Sequence, residues 1–208
     1  MQRSLTSYHI KLLAATFMVI DHVGAIFLPH EYGFRAIGRL SFPLFCWLLV
    51  QGEAHTKNIW QYALRLLMLG IISQPIYMLA FEARQLNILF TLLLGLLALR
   101  AARIFPDSQF VTWIGIGLLA EVAHFEYGAY GIAIIGLIRH FNPNMLWWAC
   151  WITLHVALLA QPSFGNFQFP AVFTPLIIQY ASQQRGPKAR WFYLFYPLHL
   201  LVLFLINQ

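Results

Sequence analysis

Within the apolar run Ile10–Phe27, Lys11 stands near the start and the adjacent pair Asp21-His22 near the end. Ionisable side chains at bilayer depth are costly, face protein or water, and tend to mark functional sites. Lys11 and His22 are eleven residues apart, about three helical turns, which puts both on one helix face about 16 Å apart. An imidazole takes a proton from an attacking amine or hydroxyl, or carries an acyl group itself, near neutral pH. One face thus offers a cation at one membrane surface and a titratable imidazole toward the other. Asp21 is the sequence neighbour of His22, but consecutive helical side chains point about 100° apart. Asp21 is therefore expected to pair with Arg39, at the same level of the next helix, rather than form a dyad with His22. The plainer alternative for Arg39 is a guanidinium that snorkels to lipid headgroups.

The elements that position these residues follow from composition. With 60% hydrophobic and 10% charged residues, a chain of this length cannot bury its apolar surface in a water-soluble core. The expected fold is all-α, a polytopic transmembrane helix bundle forming one integral membrane domain over residues 1–208. About nine membrane segments are expected, at Ile10–Phe27, Leu40–His55, Tyr62–Phe81, Ile88–Ile104, Phe110–Ala123, Gly128–Ile138, Met145–Ala160, Pro170–Ser182 and Trp191–Ile206. The amino-terminal run holds Asp21-His22 and lacks a small-residue cleavage site, so it reads as a permanent helix and not a signal peptide.

Alternate crossings put Arg3, Lys11, Lys57, Arg65, Arg100, Arg103, Arg139, Arg185, Lys188 and Arg190 on one side, and Arg35, Arg39 and Arg84 on the other. Under the positive-inside rule the amino terminus is cytoplasmic. This bias accounts for the net charge of +6, and without Lys/Arg runs interleaved with aromatics no nucleic-acid partner is expected. Cys46 and Cys150 lie in apolar runs with no CxxC spacing, so neither a disulfide nor a metal is expected.

Further along, Leu28–Gly38 reads as an external connection, and Gln51, Glu53, His55 and Thr56 as a polar end to the second helix. Ser73-Gln74-Pro75 is a polar pair beside a helix breaker. Asn87 is placed to cap the helix that it opens. Glu121, His124 and Glu126 would bind a substrate amine or meet water. The repeated Tyr-Gly at Tyr127-Gly128 and Tyr130-Gly131 permits close approach by a backbone or ligand. His155 reads as a hydrogen-bonded core residue. Tyr196 and His199, three apart, share a helix face.

Lys11, Asp21-His22, Gly38-Arg39, Phe42-Pro43-Leu44-Phe45, Asn87-Ile88-Leu89-Phe90, Tyr130-Gly131-Ile132, Phe192-Tyr193 and His199-Leu200 together resemble the TraX family, named for a conjugative-pilin acetylase, in order along nearly the whole chain. The Lys11/His22 spacing is also similar to the Arg-x10-His signature of the family-3 integral membrane acyltransferases, with lysine for arginine. The resemblance implies a bacterial inner-membrane enzyme that moves an acetyl group from cytoplasmic acetyl-CoA to an amine or hydroxyl on the far side, such as a pilin-like amino terminus or a glycan hydroxyl. Gln51 and Gln74 stand where acidic residues are expected in many relatives, so neither receives an acid/base role.

On that reading His22 is catalytic and Asp21 and Arg39 support it. Asn87, Tyr130, Tyr196 and His199 would polarise the acyl carbonyl or hold the acceptor, and Lys11, Arg65 and Arg100 would meet the phosphates of coenzyme A. Membrane lipids are the expected surroundings. A transporter or lipid flippase without acyl-transfer activity is the alternative, since helices interrupted by proline and glycine around buried charge also describe carriers. A haem protein would use His22, His155 and His199, but no two share a helix at ligand spacing.

Overall fold

The computed structural model describes residues 4–161, 165 and 167–208; Arg3, counted above among the inside charges, lies outside them. Helices α1 (Ser7–Phe27), α2 (Tyr32–Gly38), α3 (Ser41–His55), α4 (Ile59–Phe81) and α5 (Ile88–Ile104) form the first half of the chain. They are followed by α6 (Gln109–Val122), α7 (Gly128–Arg139), α8 (Met145–Leu158), α9 (Pro175–Ile178) and α10 (Phe192–Ile206), with 3-10 turns at Pro106–Ser108 and Phe169–Phe173. Among the described residues there is no strand, only the isolated bridges Leu5 with Ala181 and Leu86 with Phe125. Among the described residues, three stretches are long and apolar enough to cross a membrane: Ser7–Phe27, Tyr32–His55 and Ile59–Phe81.

Local chemistry sets the boundaries. Asn58, Asn87 and Asn144 each accept a backbone N–H from the first turn that they open, at 3.0, 3.0 and 2.8 Å, which satisfies a donor with no intrahelical partner. α4 stops at Glu82, whose φ of 51° is left-handed. Two expectations change. The expected loop Leu28–Gly38 contains α2, and the expected segment Pro170–Ser182 is divided into a 3-10 turn and the four-residue α9, because Pro170 and Pro175 each lack the N–H that a continuous helix needs. α6 and α7, at 14 and 12 residues, are only about 20 Å long.

The chain divides into two compact units, with borders inside α3 and α10. The first comprises residues through Leu48, then His140–Phe195 and Asn207. There α1 packs on α2, and the turn Phe169–Phe173 packs on α8 and α2, around a core including Ile10, Ala14, Phe42, Leu44 and Trp151. Ser41 Oγ donates to Ala14 O at 2.8 Å, and Trp151 Nε1 to Val172 O at 3.0 Å. His155 is buried with Nδ1 2.8 Å from Trp151 O, as a hydrogen-bonded core histidine should be.

The second unit holds Leu49–Arg139, Tyr196–Ile206 and Gln208. α5 is its centre, packed on α4, α6 and α7 through Leu92, Leu96, Leu99, Ile134 and Ile135. Leu64, Met68, Ile71 and Leu79 of α4, with Phe110, Leu118 and Val122 of α6, are exposed; helices that turn large apolar side chains outward suit a lipid surround.

Candidate functional site

In the first unit the carboxylate of Asp21 is gripped from two sides. Arg39 Nε donates to Oδ1 at 3.1 Å while Nη2 closes on Oδ2. Arg35 Nη1 donates to Oδ2 at 3.1 Å and to the Asp21 carbonyl at 3.3 Å. Asp21 and Arg39 are both buried, and a two-point guanidinium–carboxylate contact is the geometry that best offsets desolvation of the two charges. Gly38 makes the approach feasible, since a Cβ there would run into Cα, Cβ and Oδ1 of Asp21. Arg39 therefore pairs inward, as the sequence suggested. Arg35 was not anticipated as a partner, although its four-residue spacing from Arg39 was the available signal; its guanidinium also lies 5.7 Å from the centre of the Phe167 ring.

His22 follows directly and is also buried. The Lys11 ammonium sits 5.3 Å from the centre of the Phe192 ring, and Phe192 in turn stacks on Phe45 at 5.7 Å. Lys11 is therefore oriented by an aromatic face and is only partly exposed.

The remaining expected site residues belong to the second unit. Asn87 is fully buried. Its Nδ2 donates to Gly70 O at 2.9 Å and to Gln74 Oε1 at 2.8 Å, and its Oδ1 accepts Leu89 N–H. Both amide hydrogens are engaged, so polarising an acyl carbonyl would need one of these bonds to open. Gln74 serves as the holder of Asn87 and of Gln85 O, at 3.0 Å, a structural use of the polar pair before Pro75.

Tyr130 is buried and stacks on Tyr127 at 6.3 Å. Tyr196 is buried, its ring 5.5 Å edge-on from that of His199. Among the described residues its hydroxyl has no hydrogen-bond partner, and Glu126, Tyr77 and Tyr127 lie within electrostatic reach of it. Glu121, by contrast, caps α7 through Oε2, which accepts Ala129 N–H at 2.9 Å.

Arg65 is exposed. Arg100 Nη1 lies 3.7 Å from Glu53 Oε1 and Arg103 Nη2 2.5 Å from Glu53 Oε2. Glu53 is thus a buried anchor and more than an interfacial end residue, while Arg100 keeps 42% of its side chain exposed. The signal for this was Arg100 and Arg103 three apart on one face of α5.

The model of a family described as TraX protein matches residues 7–207. The chain is 29% identical over 231 aligned positions to the "Probable fimbrial assembly protein FimC, serogroup H1" of Dichelobacter nodosus, covering 95% of this chain and 94% of that one. No solved structure matches.

Proposed function

Since the chain belongs to the TraX family, we propose that it is a membrane-embedded acyltransferase that moves an acetyl group from cytoplasmic acetyl-CoA to an amine or hydroxyl presented on the other side of a bacterial inner membrane. The observation that carries this reading is a buried imidazole, His22, directly after a carboxylate fixed by two arginines. With Asp21 bound to Arg35 and Arg39, the end of α1 that bears His22 is anchored, and a positioned base is worth far more than a mobile one.

In the reaction, the acceptor nitrogen or oxygen attacks the thioester carbonyl while His22 takes the acceptor's proton. The tetrahedral species then collapses, the carbon–sulfur bond breaks, and the proton passes from His22 to the departing thiolate. In the stepwise form the imidazole nitrogen attacks the thioester carbonyl, the carbon–sulfur bond breaks and the thiol leaves with the ring proton; the acceptor then attacks the acetyl-imidazole, the carbon–nitrogen bond breaks, and the acceptor's proton returns to the ring. Lys11, on the same helix as His22, meets the donor's phosphates. Within the second unit, Asn87 holds α4 and α5 in place.

The relative from Dichelobacter nodosus is named for fimbrial assembly, which supports a role in processing or assembling a pilin-like protein and makes its amino terminus the first acceptor to test, ahead of a glycan hydroxyl. The charge bias sets the orientation, with the amino terminus and the loop bearing Arg185, Lys188 and Arg190 in the cytoplasm. Leu5 and that loop do share an end of the first unit, because Ser182 N–H donates to Leu5 O at 2.7 Å.

The test is transfer of labelled acetyl from acetyl-CoA to a pilin-like peptide by the detergent-purified protein. Transfer by the wild type and its loss in His22→Ala are expected. Undiminished transfer by His22→Ala would remove His22 from the mechanism, and no transfer to amine or hydroxyl acceptors would remove the enzyme reading.

A further inference from the structure

The connection that follows α9 is strapped across the start of α1. Leu5 N–H donates to Tyr180 O at 3.0 Å, Ser182 N–H returns to Leu5 O at 2.7 Å, and Ser7 N–H donates to Gln184 O at 2.9 Å. Gly186, at φ +68°, lies so close to α1 that a Cβ would come within 2.5 Å of Thr6 Oγ1 and 3.0 Å of Tyr8 Cβ. Ala189 is buried as the connection leaves.

This seat fixes where Arg185 falls. It lies between Gln184, bonded to Ser7, and Gly186, pressed on Thr6 and Tyr8, and Lys11 is one helical turn beyond Ser7 on the same face. Arg185 and Lys11 are accordingly within electrostatic range of each other. Among the described residues neither cation has a carboxylate at ion-pairing distance; the ion pairs involve Asp21 and Glu53 instead. Two like charges brought together by a main-chain strap repel each other, and the amino-terminal end of α1 adds a positive dipole end. Such an arrangement is relieved by an anion. The Phe192 ring holds the Lys11 ammonium from one side, while Arg185 is exposed and reachable from solvent.

We propose that Lys11 and Arg185 together form a binding site for a phosphate ester, with the strap Ser182–Arg190 holding the arginine opposite the lysine. The chemistry fits either the diphosphate of coenzyme A or the headgroup of an anionic lipid. The inference deepens the acyltransferase reading by adding Arg185 to the donor site, and it rests on that reading only for coenzyme A as the physiological ligand.

The test is binding without turnover, by calorimetry and native mass spectrometry on the whole protein in a neutral detergent, with coenzyme A, pantetheine and phosphatidylglycerol as probes. If coenzyme A is the ligand, it binds at least tenfold tighter than pantetheine, which lacks the phosphates. Arg185→Ala and Lys11→Ala then each weaken it about tenfold, Lys11→Arg retains it, and binding declines as salt rises. If the ligand is a lipid, phosphatidylglycerol retention falls in Arg185→Ala while coenzyme A is unaffected, and the site stands with that source. Unchanged binding of both coenzyme A and phosphatidylglycerol in Arg185→Ala, which is exposed and leaves the fold intact, would overturn the proposal. Coenzyme A binding that depends on Arg185 in a protein that transfers no acetyl group would leave the site standing and remove the enzyme reading alone.

Discussion

Arg39 meets Asp21 through two nitrogens, Nε on Oδ1 at 3.1 Å and Nη2 on Oδ2, in a contact where each side chain is less than one-tenth exposed. The second guanidinium, from Arg35, is more open to its surroundings at 23%. The pair of arginines is therefore unequal, and Arg39 carries most of the burial.

Removing Arg39 strands the Asp21 carboxylate with one partly exposed partner. Arg39→Ala is expected to destabilise the protein by about 3–5 kcal/mol, the usual cost of breaking a buried ion pair from one side. Arg35→Ala should cost distinctly less. Arg39→Lys keeps the charge but loses the two-point contact and should fall between them. Unfolding in mixed detergent micelles measures all three, and equal losses for Arg35→Ala and Arg39→Ala would contradict the ranking.

Two glycines of α2 should respond in opposite directions to the same methyl group. Gly38→Ala places a Cβ against Asp21 and is expected to cost about 1–3 kcal/mol through overpacking. Gly33→Ala meets nothing within 4 Å and should stabilise the helix by about 0.5–1 kcal/mol. Thermal unfolding of the two variants side by side checks the signs.

Asn87→Ala removes two donated bonds and a helix cap together. Gly70 O loses its bond in a buried setting, whereas Gln74 Oε1 keeps the backbone N–H of residue 87 at 3.0 Å, and a loss of about 1–3 kcal/mol is expected. Asn87→Asp is expected to be no better, because a carboxylate would face those same two acceptors. Wild-type stability in Asn87→Asp would mean that the amide hydrogens are not what holds α4 to α5.

The orientation can be read with alkaline phosphatase fusions, which are active only outside the cytoplasm. Fusions after Arg84 and after Gln208 should be active, and those after Lys57 and Asp107 inactive, following the excess of Lys and Arg on one side. The opposite pattern would invert the donor and acceptor sides of the proposed reaction.

Much of this molecule is legible in its sequence alone. Sixty per cent apolar residues and the length of the first apolar run dictate a helical membrane protein, because a backbone in lipid must satisfy its own hydrogen bonds. Asn87 as a cap is equally local, since its Oδ1 reaches a residue only two positions on. Even the Asp21–Arg39 pair could be anticipated, from two charges at one depth on consecutive helices.

What the tertiary structure alone decided are meetings between distant parts of the chain. Arg35 reaches Asp21 across 14 positions because Leu28–Gly38 folds into α2 rather than running as a loop, and Gly38 lets that helix settle on α1. Arg103 reaches Glu53 across 50 positions, and Arg185 reaches the neighbourhood of Lys11 through main-chain bonds that carry no side-chain signature. Local sequence specifies which groups must be satisfied, whereas packing selects the partner, because many pairings of similar local energy become exclusive only when the helices close on one another.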